Sequence, residues 1–174
     1  ALPIFHVHGL FVALNTIFLS GAKIIFFEKF SPESIIKRLP EATVMMGVPT
    51  YYTRLLSKSN FNKSTCESMR LFISGSAPLT EIVFEKFKER TGHKILERYG
   101  MSETGMITSN PLEGERVPGT VGFSLPDIEV RVANELGEVL SFGDRGIVEV
   151  KGPNVFRGYW RLEEKTKKDF RSDG

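Results

Sequence analysis

The sequence predicts an α/β protein, in which strands alternate with helices to form a parallel-type sheet, followed by a small glycine-rich β-subdomain. Two distributions carry this prediction. Of the 14 phenylalanines, 10 precede residue 90, where apolar runs of strand length are separated by helical patterns. Of the 16 glycines, 11 lie at or after Gly100, where short alternating runs replace the helices. We therefore expect an α/β subdomain over residues 1–115 and a β-rich subdomain over residues 116–174.

The first half contains helix starts with recognisable capping residues. Ser31 followed by Pro32 places an N-cap before a proline at the first helical position. Pro49 opens the next helix, and Thr80 caps a third helix that ends at Gly92. Four short apolar runs predict the strands around these helices: residues 23–28 (KIIFFE), 43–47, 70–74 and 93–97.

The second half predicts a mostly antiparallel β region. Residues 128–132 (IEVRV) alternate with period two, and residues 147–150 form a second short run. Residues 135–138 (ELGE) predict the turn that follows the first of these strands. A last short helix is expected over residues 162–168. The polar stretch at 112–119 (LEGERVPG) marks the boundary with the first half.

Charge and cysteine usage narrow the class of protein. The 23 Lys and Arg residues nearly balance 21 Asp and Glu residues, so the net charge is +2 and a dedicated nucleic-acid binder is disfavoured. The lone cysteine, Cys66, excludes an internal disulfide and a multi-cysteine metal site, and is typical of a reducing compartment. We expect a cytoplasmic protein, with an organelle matrix as the alternative if a transit peptide has been removed.

Residues 1–22 carry no formal charge, which raises the question of a membrane span. Their helix-like part, residues 10–19, is about half of the ~20 apolar residues that a span requires. His6 and His8 stand where a signal peptide would carry its basic leader. We therefore predict a buried helix and no membrane span.

Three loops carry residues suited to chemistry. In the first, LPIFHVHG at 2–9, an extended Ile4–His8 would place His6 and His8 on one face, where they could bind a metal, act as a base or hold an anion. The alternative is a histidine packed and hydrogen-bonded at a strand end. The second loop, SGSAPL at 74–79, follows a strand and offers the hydroxyls of Ser74 and Ser76. It lacks the phosphate-loop pattern, and a plain strand–helix turn is its alternative.

The third loop, ERYGMSETG at 97–105, combines an aromatic ring, a hydroxyl and a carboxylate. Tyr99 is suited to stack on a heterocycle, Ser102 to bond a phosphate and Glu103 to ligate Mg²⁺. Singly, each has a structural alternative: a core aromatic, an N-cap and a carboxylate at a helix dipole. Arg98 could instead pair with Glu97 or with another surface acid, an ion pair that would contribute little to stability. The combination at a strand end favours a ligand site.

These three loops, followed by PGTVG at 118–122 and GIVEVKGPNVFRGYW at 146–160, resemble the adenylate-forming acyl-CoA synthetases, and within them the malonyl-CoA synthetases. The resemblance implies a ligase that activates a carboxylate with ATP to an acyl-adenylate and then transfers the acyl group to coenzyme A, with Mg²⁺ as the metal. It implies catalytic roles for Ser102, Glu103 and His6, of which Ser102 contacts the α-phosphate and Glu103 holds Mg²⁺. The nucleotide site implied by position comprises Ser76, Ala77, Pro78, Glu97, Tyr99, Gly100, Met101 and Ser102.

Arg98 suggests the substrate. A dicarboxylate such as malonate keeps a second charge that must be paired when it is buried, and the planar guanidinium suits a carboxylate. Ser76, His6 and His8 would add contacts to the substrate carboxylates. Methylmalonate or another short acid is the alternative substrate, and a non-catalytic piece is the alternative class. An amino-acid adenylation domain is disfavoured, because it needs an acidic residue for the substrate amine.

The resemblance also implies that the chain is a central piece of a larger N-terminal domain. The family's phosphate loop would precede Ala1, its TGD element would follow Gly174, and a small C-terminal domain carries the lysine used in adenylation. We therefore expect the 174-residue piece alone to form no thioester.

Overall fold

The computed structural model describes residues 2–172. Its helices are α1 (Asn15–Leu19, which continues a π-helical His8–Leu14), α2 (Pro32–Arg38), α3 (Pro49–Leu56), α4 (Glu81–Thr91) and α5 (Glu163–Asp169). Its strands are β1 (Val44–Gly47), β2 (Leu71–Ser74), β3 (Leu96–Met101), β4 (Gly105–Ser109), β5 (Phe123–Ser124), β6 (Glu129–Ala133) and β7 (Ile147–Lys151).

Five strands form one mixed sheet in the order β1-β2-β3-β4-β5. The first three strands are parallel, and β4 and β5 continue the sheet in antiparallel pairing. Helices α3 and α4 connect the parallel strands, which confirms the predicted crossovers. Strands β6 and β7 form a separate antiparallel pair, again as predicted. The α/β fold class is confirmed, whereas the division into subdomains at residue 115 stays a prediction. Residues 1, 173 and 174 of the two predicted subdomains lie outside the described part of the chain.

The predicted capping residues set the helix ends. The hydroxyl of Ser31 accepts a hydrogen bond from the backbone N–H of Ser34 at 3.3 Å, and that of Thr80 accepts one from Val83 at 3.3 Å. Gly92 ends α4 with a φ of 79°, a left-handed conformation that side chains disfavour. Helices α2 and α4 therefore begin where the sequence predicted, and α4 ends where predicted.

The two faces of the parallel strands pack differently. Helices α2, α3 and α4 cover one face with a large aromatic core of fully buried residues, among them Tyr52, Phe61, Phe72 and Phe87. Cys66 lies in this core, where burial raises the pKa of its thiol to about 11. The other face carries a small cluster of Leu71, Ile73 and Leu96 with Val44 and Met46 against it. Because side chains alternate along a strand, Arg98 follows Leu96 onto this second face, and Glu97 faces the large core.

Two strand predictions were wrong. Residues 23–28 are not in a strand, because none of the strands in the described chain pairs with them. The strand predicted at 93–97 lies instead at Leu96–Met101. The strand continues through the polar residues Arg98 and Tyr99 because β4, which was not predicted from the sequence, pairs with them.

The amino-terminal segment also differs from expectation. Residues 4–6 form a turn rather than an extended stretch, and helical structure begins at His8. The helix predicted over residues 10–19 is present, but its predicted burial was wrong: Phe11 is 60%, Phe18 66% and Leu19 89% exposed. Among residues 2–172, neither hydrophobic core cluster includes these three side chains. Within the same residues, no helix combines the length and apolarity needed to cross a bilayer.

Candidate active site

The three loops singled out by the sequence lie near one edge of the sheet. In the parallel strands Gly47 pairs with Ser74, and Ser74 pairs with Glu97, so β1 and β2 end side by side next to the first residues of β3. The SGSAPL loop leaves β2 at this point. In open α/β sheets, ligands bind outside the carboxyl ends of the strands.

The SGSAPL loop is held at both ends. The N–H of Gly75 donates to the carbonyl of Gly47 at 3.3 Å, and the N–H of Leu79 donates to the Glu97 carboxylate at 2.8 Å. Ser76 has a φ of 69°, a strained conformation that typically costs about 1–3 kcal/mol for a residue other than glycine and clusters at functional sites. The exposed tip between the two anchors consists of Ser76, Ala77 and Pro78.

Glu97 supports this loop from beneath. Its side chain is buried, its Oε1 accepts the bond from Leu79, and its Oε2 has no partner in the described chain. Burial raises the pKa of the carboxyl, and the bond from Leu79 opposes that shift. The Glu97 carbonyl oxygen accepts a hydrogen bond from the Asn110 N–H at 3.0 Å. The structure thus shows Glu97 supporting the SGSAPL loop, whereas direct contact between Glu97 and a nucleotide stays a prediction.

His8 is the histidine that the structure brings to the loop. It is only 3% exposed, and its Nδ1 lies 3.1 Å from the hydroxyl oxygen of Ser76. Its Nε2 is buried without a partner among residues 2–172. Burial, and secondarily the charge of Arg98, lowers the pKa of His8 to about 4, so the ring is neutral at physiological pH.

His6 lies elsewhere. It is exposed in the turn before the helix, with its ring centroid 4.6 Å from that of Phe5. The expectation that His6 and His8 share a face depended on an extended chain and was wrong, because residues 4–6 turn. A catalytic or substrate-binding role for His6 stays a prediction that no observed contact supports.

Arg98 is half-buried on the face opposite to Glu97, and its Nε is shielded from solvent. Its Nη2 lies 3.9 Å from the sulfur of Met46 on β1, and its Nε has no partner in the described chain. Burial lowers the pKa of Arg98, with an opposing contribution from Tyr52. Within residues 2–172, no carboxylate lies at ion-pair distance from Arg98. The pairing with Glu97 considered above does not occur, since the two side chains occupy opposite faces.

Tyr99, Gly100 and Met101 continue β3 towards its hairpin with β4. Tyr99 is half-buried and lies opposite Thr108, and the register shifts between Tyr99 and Gly100. A side chain at Gly100 would stand 2.2 Å from the carbonyl oxygen of Gly105, so only glycine fits this close approach. Met101 is 39% exposed at the end of the strand.

The β3–β4 turn presents the polar residues of the third loop. Ser102 is exposed and precedes no helix, so it is not an N-cap. The carboxylate of Glu103 accepts a hydrogen bond from the Tyr159 hydroxyl at 3.1 Å. Glu103 also borders an open cleft of about 640 Å³ between this turn, the β6–β7 pair and residues 155–171.

The resemblance implies a Mg²⁺ ion, and Glu103 would be its single carboxylate ligand. No group of three or more metal-ligating side chains occurs in the described part of the chain. Mg²⁺ is usually bound by one or two carboxylates together with substrate phosphates and water. A single carboxylate at a cleft therefore fits an ion that arrives with a nucleotide, rather than a resident structural ion.

The contacts made by Asn154 and Tyr159 were not predicted from the sequence. The side-chain amide of Asn154 donates to the carbonyl of Thr104 at 2.8 Å, from 50 residues away. The Tyr159 hydroxyl reaches Glu103 from 56 residues away. Both residues lie in the motif GIVEVKGPNVFRGYW, which carried the resemblance without indicating a contact to this turn.

A sequence model of the family described as AMP-binding enzyme matches residues 1–160. Among curated proteins, the mitochondrial malonate–CoA ligase ACSF3 of Mus musculus is 38% identical over an alignment that covers 99% of this chain and 36% of that protein. The chain therefore spans little more than a third of the length of this relative.

Two solved structures are similar over the whole chain. The crystal structure of ATP-bound MatB from Rhodopseudomonas palustris is 55% identical, has a TM-score of 0.98, and is covered over 35% of its length. A malonyl-CoA ligase in a ternary product complex with methylmalonyl-CoA and AMP is 36% identical, has a TM-score of 0.90, and is covered over 38% of its length.

Proposed function

This chain belongs to the AMP-binding enzyme family, and on that premise we propose that it carries part of the active site of an ATP-dependent acid–CoA ligase whose substrate is malonate. Malonate would be activated through an acyl-adenylate with release of pyrophosphate, and CoA would then displace AMP. The proposal concerns the full-length protein that contains this chain. The mouse relative is named a malonate–CoA ligase, which supports the same activity here.

The observation that carries the proposal is the unpaired guanidinium of Arg98. Partial burial of a cation without a partner has a desolvation cost, and a ligand carboxylate would offset that cost. The fork of donors on arginine suits two hydrogen bonds to one carboxylate. Activation consumes one carboxylate of malonate, so Arg98 would pair with the second one. A monocarboxylate would leave this cation unpaired.

His8 and Ser76 extend the proposed substrate site. If the Ser76 hydroxyl donates to Nδ1, the proton of the neutral His8 ring lies on Nε2, the nitrogen that lacks a partner. That N–H could then donate to a substrate carboxylate oxygen. His8 rather than His6 is therefore the histidine that we place next to the substrate.

The nucleotide roles remain those implied by the resemblance. Tyr99 would stack on adenine beside Gly100 and Met101, and the loop tip of Ser76, Ala77 and Pro78 would line the pocket above Glu97. Ser102 would contact the α-phosphate. Glu103 would hold Mg²⁺, which supplies neutralisation of phosphate charge when bound.

The chemistry balances in two substitutions. A substrate carboxylate oxygen attacks the α-phosphorus of ATP, and the bond to the pyrophosphate oxygen breaks. The sulfur of CoA then attacks the acyl carbon, AMP leaves with the bonding electrons, and the thiol proton is released. The residues described here would hold the carboxylate and ATP in line for the first attack. Binding both reactants in this geometry lowers the entropic cost of bringing them together for the reaction.

A substrate comparison tests the proposal. Pyrophosphate release by the full-length protein should depend on malonate, with a kcat/KM for acetate lower by roughly 100-fold, the effect of about 3 kcal/mol from a charged pair. Comparable activity with acetate or butyrate would contradict the assignment. Methylmalonate is a second candidate, because a 36%-identical ligase is described with methylmalonyl-CoA bound. The panel should therefore include it.

For the compartment, we propose the cytoplasm or an organelle matrix. The mouse relative is named a mitochondrial protein, which supports the second. Fractionation of cells that express the full-length protein with a carboxyl-terminal tag distinguishes the two.

A further inference from the structure

The turn that carries Glu103 is held by a segment far along the chain. The backbone N–H of Phe156 donates to the Glu103 carbonyl at 2.8 Å, and the Asn154 amide donates to the Thr104 carbonyl at 2.8 Å. These two bonds fix the backbone of the turn. The Tyr159 hydroxyl makes the third contact, at 3.1 Å, and is the one that reaches the carboxylate.

Tyr159 is itself held in place. Its N–H donates to the Thr166 hydroxyl at 2.9 Å, which ties it to α5. Its ring packs edge-on against Phe156 at 4.8 Å between centroids, and the Lys165 ammonium lies 4.4 Å from the ring centroid. The phenol O–H is the donor of this contact, and the Glu103 carboxylate is its acceptor.

We propose that Tyr159 is a positioning residue for Glu103: its hydroxyl occupies Oε1 and fixes the carboxylate so that Oε2 is the oxygen offered to a divalent cation. This inference rests on the proposed function, in which Glu103 holds the ion. None of the hydrogen bonds and ion pairs described for residues 2–172 uses Oε2. Partners of metal-ligating carboxylates orient them, and their loss typically weakens metal binding by about 10–100-fold.

The test measures Mn²⁺ affinity of the full-length protein in the presence of a non-hydrolysable ATP analogue, by the EPR signal of free Mn²⁺. Tyr159→Phe keeps the ring packing and removes only the hydroxyl. We expect its Mn²⁺ dissociation constant to rise by about 10-fold. The matched control is Trp160→Phe, since Trp160 is 84% exposed and should leave the constant unchanged.

Two further variants separate the outcomes. In a Glu103→Gln background, Tyr159→Phe should have no additional effect on Mn²⁺ affinity, since the carboxylate that it orients is gone. Thr166→Val removes the bond to the Tyr159 N–H and should weaken Mn²⁺ binding in the same direction by a smaller factor, which tests the inference independently.

The inference and the function on which it rests fail differently. If Glu103→Gln binds Mn²⁺ as tightly as the unaltered protein, the metal assignment itself is wrong. If Glu103→Gln weakens binding while a folded Tyr159→Phe stays within twofold of the unaltered protein, only the positioning role is overturned.

Discussion

Replacing Arg98 with leucine isolates the proposed recognition of the second carboxylate. The substitution removes the guanidinium and leaves an apolar side chain of useful size on the small-cluster face, beside Met46 and Leu96. If Arg98 pairs with malonate, Arg98→Leu should lose malonate activation and keep nucleotide binding. The remaining activity should shift towards monocarboxylates such as butyrate, which need no cationic partner.

The magnitude follows from the donors that the structure leaves available. Nε has no partner and Nη2 has only a weak contact with a methionine sulfur, so neither nitrogen has a strong acceptor among residues 2–172. A hydrogen bond to a charged group contributes about 1.5–3 kcal/mol. Allowing for the desolvation of both charges, we expect a net loss of about 3 kcal/mol, which is roughly 100-fold in kcat/KM because 1.4 kcal/mol is tenfold.

The assay is pyrophosphate release with malonate, together with calorimetric titration of ATP. The ATP dissociation constant should change by less than about threefold, because no role in nucleotide binding is assigned to Arg98. Arg98→Lys should lose less activity, since it keeps the charge but not the planar fork. Arg90→Leu, an exposed change on α4, is the control. A malonate kcat/KM reduced less than fivefold in Arg98→Leu would refute the reasoning.

Three other results are expected. Burial raises the pKa of Glu97 and so disfavours its ionised form in the folded state. Glu97→Gln should therefore raise the free energy of unfolding at neutral pH, but not at about pH 3, where the carboxyl is protonated. Equal effects at both pH values in urea titrations would contradict this. The isolated 174-residue chain should form no malonyl-CoA, and its detection by mass spectrometry would overturn that prediction. The isolated chain should also self-associate through its exposed amino-terminal helix, so Phe11→Ser with Phe18→Ser should lower the mass measured by light scattering, whereas Phe142→Ser, outside that helix, should not.

Local chemistry explains which parts of the fold were predictable. Ser31 and Thr80 cap helices through their own side chains, and Gly92 ends one through its backbone, so each is readable without knowledge of distant residues. Strand limits depend on partners. Residues 23–28 have the composition of a strand without a neighbour, whereas the polar Arg98 and Tyr99 lie in a strand because β4 pairs with them.

The candidate site shows the same contrast between features set by local sequence and features set by distant residues. Proximity of the loops at the strand ends was predictable, because parallel strands place their carboxyl ends together. The choice between two histidines was not, because it depended on whether the chain turns before His8. The contacts of Asn154 and Tyr159 with the β3–β4 turn join residues more than 45 positions apart, and no local pattern specifies such a pair.

Glu97 and Arg98 are adjacent in sequence, yet the ion pair considered as an alternative does not form between them, and the reason bears on function. Neighbours in a strand point to opposite faces, so the sheet itself keeps this acid and base apart. The Glu97 carboxylate accepts a hydrogen bond from the backbone of the SGSAPL loop, and Arg98 has no acid within ion-pair distance among the described residues. The net charge of +2 does not reveal this arrangement, because a half-buried cation without an acidic partner contributes the same formal charge as a solvated one. We infer that the separation is what leaves Arg98 available to a ligand carboxylate. Moving the acid by one residue, to the face of Arg98, would neutralise the cation within the protein and abolish its use for a substrate.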